Sequence, residues 1–204
     1  MNFAKLKINQ KHWRSAGQQL IEMAIAEFLY EEIIHVEALG DQLFQLKLDN
    51  RVYLFKGQQA LLGHWVIQAA SVRDLNESED SPAWNLHQFI AAFSNQAEVK
   101  PFTKAYLIKE MNNTWLAEAH LYDENRLPSS AVLTVHHHQI EGMLRGHPWL
   151  IMSKGRMGFG YDDYLQSAPE ISPTVKVLWL AVHQDLAQFR STDDWQAAQL
   201  YRHE

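Results

Sequence analysis

Residues 145–170 read RGHPWLIMSKGRMGFGYDDYLQSAPE, gathering His147, Lys154, Arg156, Asp162, Asp163 and Glu170 around four glycines. Lys154 and Arg156 stand two apart, and on an extended segment that spacing sends both side chains to one face. Gly155 and Gly158 beside them permit a ligand to approach the backbone closely. Two cations next to accessible amides suit a phosphate or a polycarboxylate, which the arginine can hold with two parallel hydrogen bonds. A solvated basic loop whose glycines serve turns is the alternative reading. The order G-x-x-x-x-G-K-[ST] of a P-loop is absent.

His147 follows Gly146 and precedes Pro148. The proline biases the residue before it toward an extended conformation, which presents an imidazole to a ligand but is equally ordinary in a loop. His136, His137 and His138 are consecutive; on a helix they point about 100° apart, and on a strand only His136 and His138 share a face. With no second ligand pair at helical spacing nearby, a solvated face is the simpler reading, and no metal site is assigned. Asp162 and Asp163 are adjacent, so on a strand they face opposite ways and make a poor carboxylate pair. Glu170 after Pro169 either caps a turn or ligates a cation. No Ser-His-Asp arrangement can be defended from spacing, and the absence of cysteine excludes disulfides, thiolate metal sites and cysteine nucleophiles.

The remaining composition is that of a globular chain. Of 204 residues, 47% are hydrophobic, enough for a sizeable core. Lys and Arg number 18 against 24 Asp and Glu, a formal charge of −6. No basic stripe stands out to contact phosphates, so a nucleic-acid partner is not expected. The N-terminus MNFAKLKINQKHWRS lacks an apolar core and a cleavage site, and no run approaches a membrane span. The expectation is a cytoplasmic protein that touches no membrane.

Several elements must position these residues. Leu20, Ile21, Ala24, Ile25, Phe28 and Leu29 recur at helical spacing, which predicts an N-terminal helix capped by Ser15 and ending near Gly40. QLFQLKL and RVYLFKG flank Asp49-Asn50 and predict a hairpin, with HWVIQAAS as a third strand. A polar, acidic loop precedes helices over about 84–96 and 103–122, separated by Pro101. A short helix is expected from Ser130 to Gly146, then a glycine-rich loop with short strands. TVKVLWLAVH, residues 174–183, reads as a buried central strand, and residues 192–204 as the start of a helix. The fold class is therefore α+β, with an N-terminal helix and an antiparallel sheet with flanking helices.

The 145–183 region resembles the aerobactin-synthetase (IucA/IucC) family of NRPS-independent siderophore synthetases. The family motif is close to G-H-P-x-H-P-x-x-K-x-R-x-G-F; Gly146, His147, Pro148, Lys154, Arg156, Gly158 and Phe159 match it. Ala168, Pro169 and Glu170 fit the next element, and LWLAVH at 178–183 fits the strand after it. Leu150 and Ile151 replace the second His-Pro, and Ser167 and Ile171 stand where aromatic residues are usual. The resemblance implies one N-terminal region of a larger multi-lobed fold, with a helix-and-hairpin lobe over about 1–128 and a motif-bearing segment over about 129–204. The C-terminal catalytic region would be absent.

The resemblance also implies an ATP- and Mg2+-dependent ligase of siderophore biosynthesis. Such enzymes activate citrate or a related acid as an acyl-adenylate and pass it to an amine or hydroxyl. On this reading Lys154 and Arg156 meet the triphosphate or the polycarboxylate, and His147 hydrogen-bonds a phosphate or carboxylate. The implied partners are small carboxylic acids and amines, with a second copy of the chain or a C-terminal region completing the protein. The alternative is a free-standing polyanion-binding or structural protein of that descent without ligase activity.

Overall fold

The computed structural model describes residues 8–77, 82–122, 132–136, 140, 142–147, 149–171, 177–188 and 190. The chain divides into two compact units, Met1–Pro173 and Thr174–Glu204.

In the first unit, helix α1 spans Gln10–Tyr30. Its N-cap is Asn9, whose side-chain oxygen accepts a hydrogen bond from the Lys11 amide at 2.8 Å. The expected cap, Ser15, lies a turn and a half inside, because the buried face begins earlier, at Trp13 and Ala16, and continues through Leu20, Ala24 and Phe28. The helix ends at Tyr30, not near Gly40: Glu32 turns into the left-handed region at φ 57°. The chain then forms β1, Val36–Gly40.

β1 opens an antiparallel sheet with β2 (Leu43–Leu48), β3 (Arg51–Gln59), β4 (Trp65–Ile67) and β5 (Arg73–Asp74). β3 is central, pairing with β2 on one side and with β4 and β5 on the other. Leu48 lies opposite Arg51, so Asp49-Asn50 form the two-residue hairpin turn expected, with Asp49 at φ 51°. The alternation in β2 and β3 places Leu46, Leu48, Tyr53 and Phe55 in the core. Behind that face stands α2 (Leu86–Gln96), and α3 (Pro101–Leu121) packs on α1 and α2. Pro101 opens α3 at a position where its missing N–H costs nothing.

The helices lock through aromatic rings. Trp13 and Trp115 stack with centroids 4.1 Å apart, and the Trp115 indole N–H donates to the Trp13 carbonyl at 2.8 Å. A Cβ at Gly17 would lie 2.1 Å from the Trp84 carbonyl oxygen, so only glycine lets α1 approach here. α1 and α3 together form the platform on which residues 142–171 rest.

Those residues depart from expectation. Val132–Thr134 is a single 3-10 turn and residues 142–147 are not helical; the rest of the expected 130–146 helix lies largely outside the described residues. Gly142 sits where a Cβ would meet the Pro169 carbonyl at 2.5 Å, and Gly146 has φ 87°, a backbone path no helix follows. Residues 149–160 form turns in place of short strands, followed by helix α4, Tyr161–Ser167. Asp163 accepts the Gly160 amide at 2.8 Å, which explains one of the adjacent aspartates as a helix-start residue.

In the second unit, residues 177–183 form no strand, and Val177, Leu178, Trp179, Leu180 and Val182 are 59–80% exposed. The buried central strand is thus corrected for its described part. A β-rich composition fits a pleated surface but forms a strand only when another strand supplies the ladder, and none does so among the described residues. Residues 174–176 and the expected final helix, including Trp195, lie outside the described residues.

The capping assignment predicts that Asn9→Ala lowers stability by about 1 kcal/mol. Ser15→Ala should change it by less than about 0.5 kcal/mol. Urea unfolding of both variants measures the difference, and a larger loss at Ser15 would return the helix start to that residue.

Candidate functional site

Lys154 and Arg156 do converge, though not by strand alternation. Both point to one oxygen: Glu170 Oε1 accepts from Lys154 Nζ at 2.5 Å and from Arg156 Nη2 at 2.6 Å. The Glu170 side chain is 1% exposed, Lys154 is 7% exposed and Arg156 25%. Lys154 also donates to the Leu144 carbonyl at 2.7 Å. Three separate stretches, around 144, 154–156 and 170, therefore meet at a single carboxylate. Burial alone would raise the Glu170 carboxyl, but hydrogen bonds from Arg156 and Lys154 outweigh it and hold the group below its ordinary value of 4.5.

The loop carrying the cations is fastened to α3. The Asn113 side-chain amide donates to the Gly155 carbonyl at 2.6 Å, and its contact with the Arg156 carbonyl is 3.5 Å. A Cβ at Gly155 would lie 3.1 Å from Glu110 Cβ, so the glycine serves close packing on the helix. Arg156 itself has φ 39°, a left-handed conformation that L-residues rarely adopt. Its guanidinium carbon lies 5.8 Å from the Tyr164 ring centroid. Burial, then the Glu170 charge, push the Tyr164 hydroxyl far above the ordinary tyrosine range, so it stays neutral.

Beside the pair lies a cavity of about 300 Å³, lined in part by Trp13, Lys109, Asn112, Asn113, Lys154 and Arg156. This is at the lower end for small-molecule pockets. It suits one phosphate or carboxylate group with a short apolar neighbour. Lys154 and Arg156 against Glu170 leave one positive charge, and Lys109 adds another at the wall.

His147 is elsewhere. It is exposed and lines a groove of about 540 Å³ with Glu27, Tyr30, His64, Trp149 and Leu150. Tyr30, His64 and Trp149 stack in succession at 4.3 and 5.1 Å, and the His147 Nδ1 accepts the Trp149 amide at 3.3 Å. The structure thus brings together two of the three expected site residues and sets the third on another wall. Ile151, at the position of the missing His-Pro, is a core residue at 4% exposure, while Leu150 faces the groove.

Sequence reasoning left out Lys109, Asn112 and Asn113, whose i, i+3, i+4 spacing on α3 is the polar stripe that would have flagged them. It left Glu170 open between a turn cap and a cation ligand. The cations it meets are side chains of this chain.

Comparison with known proteins places this geometry in context. Residues 136–204 match the family model described as the IucA / IucC family. The chain is 30% identical over 181 residues to the rhizobactin siderophore biosynthesis protein RhbF of Rhizobium meliloti, covering 89% of this chain and 30% of that protein. It is 28% identical over 188 residues to putrebactin synthase of a Shewanella species, covering 90% and 30%. Among solved structures, aerobactin synthetase IucC of Klebsiella pneumoniae superposes with a TM-score of 0.71 at 25% identity, over 80% of this chain and 29% of that one. The petrobactin biosynthesis protein AsbB of Bacillus anthracis, at 18% identity and a TM-score of 0.61, shares the fold. The chain spans about 30% of the length of the curated relatives described here.

The depressed Glu170 carboxyl gives a signed pH prediction. Its contribution to stability is fully present above the unfolded value near 4.5 and is lost as pH falls through the lower native value. Urea unfolding of the native chain and Glu170→Gln, from about pH 6 to about pH 3, should show a stability gap that narrows in acid. A gap that widens as pH falls would contradict the charged state assigned to Glu170.

Proposed function

The chain belongs to the IucA / IucC family, and on that premise we propose that it is the N-terminal portion of an ATP-dependent ligase of siderophore biosynthesis. The observation that carries this reading is buried Lys154 and half-buried Arg156 meeting at Glu170, set beside a cavity with one surplus positive charge. The reaction joins citrate or a related acid to an amine or hydroxyl. A carboxylate oxygen attacks the α-phosphorus of ATP, the α–β anhydride bond breaks, and pyrophosphate leaves. The amine or hydroxyl then attacks the acyl carbon, losing a proton, and AMP departs.

Both steps gather negative charge, and cations fixed in a water-poor site offset it without reorganising. Arg156 suits a phosphate or carboxylate oxygen because its partly exposed side chain lines the cavity, and Lys109 adds charge from α3. Lys154 acts mainly through Glu170, which it neutralises. His147 offers an imidazole to a second part of the substrates from its own exposed position. The cavity accommodates one anionic group, so the rest of ATP and the acid would be held by other parts of the enzyme. Among the described residues no group of three carboxylate or histidine donors could hold a metal ion. Mg2+ is proposed to travel with the triphosphate, and no step is drawn through it.

Small carboxylic acids and amines are the proposed partners, with a second copy or a C-terminal region completing the site. Among the described residues no helix is long and apolar enough to cross a membrane, and the cytoplasm, where ATP is available, is the proposed compartment. A second reading, a structural or polyanion-binding protein without ligase activity, draws on the same cluster. The Lys154 ammonium already has Glu170 and the Leu144 carbonyl, which leaves it one donor.

Citrate-dependent pyrophosphate release by the complete gene product tests the proposal. Arg156→Ala removes a charge-assisted contact and should lower turnover or affinity about 10- to 100-fold. Unchanged kinetics in both Arg156→Ala and Lys154→Ala would reduce the loop to a scaffold, and no release from the unaltered product would favour the second reading.

A further inference from the structure

Arg156 occupies a backbone conformation that disfavours it, at φ 39°, with glycines at 155 and 158. A glycine at 156 would adopt that conformation freely, yet an arginine stands there. A non-glycine residue held in the left-handed region is costly and persists where its surroundings over-determine it. Here the surroundings are specific. Asn113 grips the Gly155 carbonyl at 2.6 Å from α3, and Glu170 grips the guanidinium at 2.6 Å from beyond α4.

Charge neutrality does not explain the arginine. Lys154, at 2.5 Å from the same carboxylate oxygen, already balances Glu170. Arg156 makes the cluster net positive in a place of restricted solvent. The surplus lies at the wall of the cavity that Asn113, Lys109 and Lys154 also line. A side chain that is strained, clamped at both ends and electrostatically redundant for its internal partner is set for something outside the cluster.

We propose that Asn113 and Glu170 are positioning residues for Arg156, holding its backbone and its guanidinium so that the surplus charge meets one oxyanion group in the adjacent cavity. This deepens the ligase reading and rests on it for the identity of the anion, a carboxylate or a phosphate. Asn113 fixes where the side chain starts, and Glu170 fixes where its head points. Glu170 takes Nη2 and Nη1 is buried, so the ligand meets only the quarter of the side chain that stays accessible at the cavity. The charge balance favours a single anionic group, with the remaining charges of a polyanion held elsewhere.

The test has two arms on the full chain. In the first, without ligand, the Arg156 Nε–H is followed by nitrogen-15 NMR in the unaltered chain, Asn113→Ala, Glu170→Gln and Glu170→Asp. A clamped guanidinium gives a resolved, exchange-protected signal. Asn113→Ala and Glu170→Gln should lose it, and Glu170→Asp should restore much of it. In the second arm, citrate and pyrophosphate are titrated separately by calorimetry, distinguishing a carboxylate from a phosphate. Asn113→Ala and Glu170→Gln should weaken the preferred probe about tenfold or more, and Glu170→Asp should stay within about threefold. A global fold change would move all resonances, so Asn113→Ala decides if Glu170→Gln does not fold.

A protected Arg156 signal in both variants, or tighter binding in Glu170→Gln, would overturn the positioning role. Tighter binding would make Glu170 a competitor for the ligand. Failure of the unaltered chain to bind either probe, with the first arm as expected, would overturn the anion subsite and leave the clamp supported.

Discussion

Glu170 is an acid with almost no surface, and an ionised carboxylate in that position survives only if charge and hydrogen bonds replace the water it has lost. One of its oxygens receives both Lys154 and Arg156. That contact organises residues 142–171, because these residues contain little regular structure of their own beyond α4. Backbone hydrogen bonds such as Ser153 N–H to the Leu150 carbonyl and Phe159 N–H to the Arg156 carbonyl span only three residues. They shape turns but do not tie the segment to α3. Here the order comes from a charge cluster, the Asn113 anchor, and glycines that let backbone approach backbone.

The cluster depends in turn on the helical platform. Trp13 and Trp115 stack between α1 and α3, and this fixes α3 so that Asn113, Glu110 and Lys109 present themselves to the loop. Arg145 reaches Glu118 on the same helix at 3.8 Å, a second tie at the start of the segment. Buried ion pairs do not automatically stabilise a fold, since desolvation can match the Coulombic gain, but removing one partner from a formed pair is strongly destabilising. The cluster therefore specifies the loop's shape more surely than it adds net stability. A loop so specified can present a partly exposed arginine at a repeatable position, which a ligand for a single anionic group requires.

Much of the architecture was legible locally. Asp49-Asn50 between two alternating runs announced the hairpin, and the recurrence of Leu20, Ala24 and Phe28 announced α1. Its ends were not legible. Ile33, Ile34 and Val36 keep an apolar rhythm that serves helix or strand, and only pairing of β1 with β2, a non-local contact, decides it. The same limit applies at 177–183, where composition favours a strand but the ladder must come from elsewhere in a sheet. At the site, spacing correctly placed Lys154 and Arg156 together but for the wrong reason. They converge through turns and a left-handed arginine, not along an extended segment. The acid that joins them was visible as a letter; its partners were not, because fourteen or more residues separate it from them in the chain. Lys109 and Asn113 stayed hidden because only the packing of α3 brings them to the loop.

The central claim, that one buried carboxylate fixes the motif loop through its cations, is tested most directly by a double-mutant cycle. Unfolding free energies of the unaltered chain, Lys154→Met, Glu170→Gln and the double variant are measured near neutral pH. A formed buried pair predicts a coupling of about 2 kcal/mol or more, with the double variant less destabilised than the sum of the singles. Additive losses, with coupling below about 0.5 kcal/mol, would mean that Lys154 and Glu170 act independently and that something else shapes the loop.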